Sequence, residues 1–158
     1  MIERYSRPAM KKVWSDESKF QKWLQVELAV CEAWAEEGAV PRDVLPKLRQ
    51  AKFNMSRYQE ILERTHHDVT AFLECIAESL GEESRFIHLG LTSSDIMDTA
   101  LSLQMIEASD ILARDVQELI EVLTQQALEH KNTIMIGRTH GVHAEPITFG
   151  LKMALWLE

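Results

Sequence analysis

Five of the chain's six histidines fall in three short segments: His66-His67-Asp68, His88 just before Gly90, and His140 with His143 in Gly137-Arg138-Thr139-His140-Gly141-Val142-His143-Ala144-Glu145-Pro146. Imidazole changes charge near neutrality, so it can move a proton in a reaction, donate to an anion or bind a metal. All three segments are placed at helix starts or in loops, where free N–H groups and positive helix ends favour ligand contact. Gly137 and Gly141 flank a turn with His140 at its centre, a pattern that brings a ligand close to backbone. His140 is thereby a candidate general acid or base. Read alone, a histidine that hydrogen-bonds to hold the turn is the more ordinary explanation, because short motifs match often by chance. His130 belongs to the last turn of a helix, where it complements the dipole, and is assigned no function.

His140-x-x-His143 with Glu145 is not read as a metal site. The usual zinc helix spaces its histidines four apart around a Glu, and Gly141 and Pro146 oppose a regular helix here. No metal or cofactor is expected. Thr92-Ser93-Ser94 opens the longest helix as its cap, and an anion there would also receive backbone N–H and hydroxyl donors. Cys31 and Cys75 lie in apolar helical patterns and read as reduced core residues rather than nucleophiles or a disulfide.

These segments need elements to carry them, and the periodicity supplies helices only. Ser15 caps a helix over about 16–37 whose stripe is Phe20, Leu24, Leu28, Cys31 and Ala35, with Gly38 as its stop. Shorter helices follow near 42–51 and 56–64. Asp68 is read as the cap of a helix over 69–80, ended by Gly81. From about Asp95 to Lys131 neither Pro nor Gly occurs, and the seam Met97, Leu101, Met105, Ala108, Leu112, Val116, Leu119, Leu123, Ala127 implies a helix roughly 55 Å long. So long and apolar a helix needs several partners, which points to a bundle. The expected class is all-α: an N-terminal helical domain over 1–90, then the beginning of a central helical bundle over 91–158. The last residues, Leu155-Trp156-Leu157-Glu158, carry no helix stop signal, and the chain is expected to be a truncated front portion.

Composition limits the partners. With 46% apolar and 27% charged residues and no run long enough to span a membrane, the 158-residue chain reads as a globular protein. Its N-terminus lacks the apolar core of a signal peptide, which favours the cytoplasm. A net charge of −8 counts against nonspecific nucleic-acid binding, yet leaves open a small anionic ligand held by a local cluster of cations and helix ends.

Taken together, Met1-Ile2-Glu3-Arg4-Tyr5-Ser6-Arg7-Pro8, Thr65-His66-His67-Asp68-Val69, Gly90-Leu91-Thr92-Ser93-Ser94-Asp95 and GRTHGVHAEPITFGLK over 137–152 closely resemble the adenylosuccinate lyase family, a branch of the fumarase and aspartase superfamily. Other branches typically continue Leu-Gln after the Thr-His, where this chain has Gly141-Val142-His143. The resemblance implies anti elimination of fumarate in purine biosynthesis, with His140 as general acid. It implies Arg4 and Tyr5 on the nucleotide, His66, His67, Asp68 and His88 around the nucleotide and its phosphate, and Thr92 and Ser93 on the succinyl carboxylates. Many family members carry Arg where His66 stands. It also implies a homotetramer with active sites shared between subunits. The family's catalytic serine, on a mobile loop, and the acidic partner of its histidine lie in a second half with no counterpart here, so the chain alone is expected to be inactive. Two other readings stay open: another superfamily lyase, acting on argininosuccinate or aspartate, and a non-catalytic helical assembly module.

Overall fold

The computed structural model describes residues 2–158, which divide into two compact units, one up to residue 108 and one over 109–158. It is mainly helical, as the periodicity predicts. The helices are α1 (Pro8–Val13), α2 (Asp16–Glu36), α3 (Leu45–Leu48), α4 (Met55–Thr65), α5 (Asp68–Leu80), α6 (Ser93–Glu129) and α7 (Phe149–Leu157). Single 3-10 turns occupy Glu3–Tyr5, Arg42–Val44 and Gly81–Phe86. No described helix is long and apolar enough to cross a membrane.

In the first unit the helices begin where side chains satisfy their free N–H groups. The Ser15 hydroxyl accepts from Ser18 N–H at 3.1 Å to start α2, and Asn54 Oδ1 accepts from Arg57 N–H at 3.0 Å to start α4. The core forms around Phe20 of α2, whose ring lies 5.1 Å from Trp23, 4.5 Å from Tyr58 and 5.6 Å from Phe72, centroid to centroid. Those are contact distances for aromatic pairs, and Phe20, Phe72, Ile61, Ile76 and Leu48 are essentially sealed from solvent. Cys31 and Cys75 are buried free thiols. The first turns of α6 join this core through Ile96 and Ala100, and buried Gln104 donates from Nε2 to the Val13 carbonyl at 2.7 Å.

The second unit holds the rest of α6, α7 and a feature that periodicity missed. Residues 134–148 form an antiparallel hairpin of β1 (Ile134–Thr139) and β2 (Val142–Thr148). The register slips by one between Ile136 and Arg138, so Gly137 faces the two residues Ala144 and Glu145. A Cβ at Gly137 would sit 2.7 Å from the Glu145 carbonyl oxygen, so this bulge admits only glycine. Thr148 caps α7, its hydroxyl accepting from Leu151 N–H at 3.1 Å. At Gly150 a Cβ would meet the Ala127 carbonyl oxygen at 2.5 Å and Lys131 Cα at 2.7 Å, so a missing side chain lets α7 close against the end of α6. Along this part of α6, Leu112, Val116, Leu119, Ile120, Val122 and Leu128 are exposed.

The aromatic cluster makes a stability prediction. Phe20→Ala should cost about 3–5 kcal/mol in denaturant unfolding, the usual range for emptying a packed phenylalanine site. Arg57→Ala, which breaks an exposed ion pair to Glu78, should leave the midpoint almost unmoved.

Candidate functional site

Each cluster of candidate residues sits at an element boundary. His66 and His67 form the junction between α4 and α5. His66 ends α4 in the left-handed conformation, φ 50°, donating its N–H to the Leu62 carbonyl at 2.8 Å. His67 caps α5: its backbone is extended and its Nδ1 accepts from Thr70 N–H at 3.3 Å. This corrects the assignment of the cap to Asp68, which is the first residue of α5 and accepts from Val69 N–H at 2.8 Å. A cap must precede the first helical residue with non-helical backbone, and at that position the imidazole lone pair replaces the usual oxygen. A nitrogen that accepts carries no proton, which leaves Nε2 of the exposed His67 ring as the nitrogen that can donate.

His88 lies in the loop that follows the 3-10 turn, again left-handed at φ 65°. Glu27 on α2 reaches it twice: Oε2 accepts from His88 N–H at 2.8 Å, and Oε1 lies 2.7 Å from His88 Nδ1. Glu27 is fully buried. Burial pushes its carboxyl above the ordinary range, and the hydrogen bonds and charge of His88 pull it back. Sequence reasoning did not single out Glu27. Its signal was there, because it falls on the apolar stripe three residues after Leu24 and four before Cys31, where a charge requires a partner.

Four residues further on, Thr92 precedes α6 and Ser93 begins it. Asp95 Oδ2 accepts from Thr92 N–H at 2.7 Å and from its hydroxyl at 3.0 Å, which holds the Asp95 carboxyl below its ordinary range, the N–H bond contributing most. The Thr92 hydroxyl hydrogen is thus engaged, and the Asp95 N–H turns back to the Thr92 carbonyl at 3.1 Å, so an anion at this helix start would be met by Ser93 and Ser94. Arg4 and Tyr5 are both exposed, with the guanidinium carbon 4.8 Å from the Tyr5 ring centroid.

In the second unit, His140 and Gly141 are the two loop residues of the hairpin, with φ 52° and 75°. Positive φ at both central positions is what a tight type I′ connection needs. The turn projects an exposed imidazole from its tip. Among the described residues, the non-glycine positions with positive φ are His66, His88 and His140. Such backbone costs energy and concentrates at functional sites. His66, His67 and Asp68 are brought together by one helix junction, and His88, Thr92 and Ser93 by one loop. No group of three or more described His, Cys, Asp or Glu side chains is arranged to hold a metal ion.

A family model described as “Lyase” matches residues 3–158. The chain belongs to this lyase family. The adenylosuccinate lyase of Bacillus subtilis (strain 168) is 54% identical over 159 residues, covering 100% of this chain and 37% of that protein. The adenylosuccinate lyase of Aquifex aeolicus (strain VF5) is 52% identical over 162 residues, with the same coverage of 100% and 37%. Among solved structures, 3-carboxy-cis,cis-muconate lactonizing enzyme from Pseudomonas putida superposes with a TM-score of 0.87 at 33% identity, over 97% of this chain and 37% of that one. The chain therefore spans little more than a third of the length of the curated relatives it matches.

The Asp95 contacts give a pH dependence. Its folded pKa is depressed, so its contribution to holding the lyase chain's 92–95 turn is present above the ordinary aspartate value, about 3.9, and is lost as pH falls through the lower folded value. Exchange of the Thr92 amide hydrogen should accelerate with acidification across that window beyond the intrinsic trend. In Asp95→Asn the extra acceleration should vanish.

Proposed function

We propose that this chain supplies the N-terminal portion of an adenylosuccinate lyase, which eliminates fumarate from adenylosuccinate to give AMP and from the succinylated aminoimidazole carboxamide ribotide in purine synthesis. The observation that carries the reading is His140, an exposed imidazole on a left-handed two-residue turn at the centre of the motif shared with that family. The names of the curated relatives support the same substrate.

In this reaction a base takes the proton from the carbon beside a succinyl carboxylate. The C–H electron pair becomes the new double bond, the C–N bond breaks, and its pair on nitrogen is protonated by an acid. His140 is that acid in our reading. Its place on a backbone-rigid turn suits an acid that must meet one nitrogen in one geometry. Arg4 and Tyr5 contact the nucleotide, the base lying against an aromatic ring and a guanidinium already paired with each other. His67, Asp68 and His66 surround the nucleotide, with His88 toward its phosphate. Ser93 and the start of α6 receive a succinyl carboxylate, as donors at a helix N-terminus would. Thr92 lies beside them, its own hydrogen turned to Asp95.

In this reading residues 1–90 are an N-terminal helical domain and 91–158 begin the central bundle. The enzyme is a cytoplasmic homotetramer with sites shared between subunits, and it needs no cofactor. The exposed apolar side chains of α6 from Leu112 to Leu128 support a bundle made with further helices. The solved neighbour acting on a muconate supports a second reading, another reaction of the same superfamily on this scaffold.

The assembled enzyme should release fumarate from adenylosuccinate, and argininosuccinate, aspartate and carboxymuconate should be left untouched. Replacing His140→Gln should lower kcat by about 10²–10⁴-fold, the usual weight of a general acid, with a smaller change in KM. The 158 residues by themselves should release none. Preference for another substrate in the panel would overturn the reading.

A further inference from the structure

One face of α2 holds the segment between the 3-10 turn and α6 at three points. Glu27, Cys31 and Trp34 follow one another at helical spacing. Glu27 takes the N–H and ring of His88, Cys31 Sγ lies 3.3 Å from the Phe86 carbonyl oxygen, and Trp34 Nε1 donates to the Leu89 carbonyl at 2.8 Å. Gly90 completes the seat, since a Cβ there would come within 3.2 Å of the Trp34 ring. Cys31 and Trp34 fix the backbone on either side of His88. Among the described residues, the hydrogen bond to its ring comes from Glu27.

We propose that Glu27 is a positioning residue for His88: its buried carboxylate holds Nδ1–H inward and so turns Nε2 toward the anionic group of the substrate. The proposal rests on the functional reading above, in which that group is the nucleotide phosphate. An ionised carboxylate has acceptors only, and it already takes the His88 N–H, so the ring must supply a hydrogen on Nδ1. That leaves Nε2 as the nitrogen that meets ligand. His88 makes both contacts from a left-handed backbone, φ 65°. When the ring is protonated against a bound phosphate, the carboxylate behind it is the counter-charge, sealed from solvent and so little screened. Carboxylates that orient an imidazole through its other nitrogen recur in metal sites and proton-transfer sites for the same reason.

A glutamine at position 27 is nearly the same size but has one acceptor. Facing two donors, it would give its carbonyl to the His88 N–H and its amide N–H to Nδ1, which moves the ring hydrogen to Nε2 and removes the counter-charge. In the assembled enzyme, Glu27→Gln should therefore raise KM for adenylosuccinate about tenfold or more, the low end of the usual loss when an orienting partner is removed, with a smaller effect on kcat. His88→Ala should do the same, and the double variant should be no worse than His88→Ala alone. If Glu27 served only the fold, the two losses would multiply, and the proposal would be wrong. The ¹⁵N shifts of His88 in the unaltered enzyme need no variant to fold: a protonated Nδ1 in the neutral ring is expected, and an unprotonated Nδ1 would overturn the assignment. An unaltered enzyme that leaves adenylosuccinate intact would sink the functional reading instead, and the ¹⁵N result would still judge Glu27 and His88.

Discussion

A carboxylate taken wholly out of water is tolerable only if each of its oxygens finds a donor. Glu27 meets that demand with both the main chain and the side chain of a single residue, His88. The solution constrains much of the first unit. His88 is left-handed there, and residues 86–89 are held on α2 by Cys31 and Trp34 as well, a few residues before α6 begins. The aromatic cluster around Phe20 on the same helix supplies the stability that offsets the cost of burying the charge. One helix thus joins the hydrophobic core to the loop that carries His88.

The same economy recurs at the other histidines. His66 and His67 share the work of ending α4 and starting α5, the first with a left-handed backbone and the second with a ring nitrogen that caps. His140 takes half of a two-residue turn that glycine shares. At His66, His88 and His140 a residue that tolerates positive φ better than most also carries an imidazole, which stands on a main chain with little freedom to move. An acid or an anion donor gains from that, because the orientation is already imposed before a ligand arrives.

Much of this was legible in the residues. Ser15 and Gly81 punctuate helices as their chemistry demands, and the Pro- and Gly-free run after Asp95 announced α6 to within two residues at each end. The cap at His67 was misread as Asp68 because Asp is the commoner cap and imidazole rarely serves. The hairpin was missed because Ile134–Thr139 and Val142–Thr148 lack clean alternation, Pro146 was weighed only against a helix, and His-Gly is not the usual two-residue turn signal. Glu27 went unremarked for a tertiary reason. Its position on the apolar stripe was readable, but its partner lies 61 residues away, and only the fold shows which donor comes to it.

A crystal structure of the assembled enzyme with AMP and fumarate bound would decide whether His88 and His140 face the ligand. The expected complex has the phosphate within hydrogen-bond distance of His88 Nε2, with Nδ1 still on Glu27, the His140 ring at the nitrogen that had carried the succinyl group, and fumarate at the start of α6. Nucleotide bound away from these residues, or His88 turned so that Nδ1 faces the ligand, would contradict it.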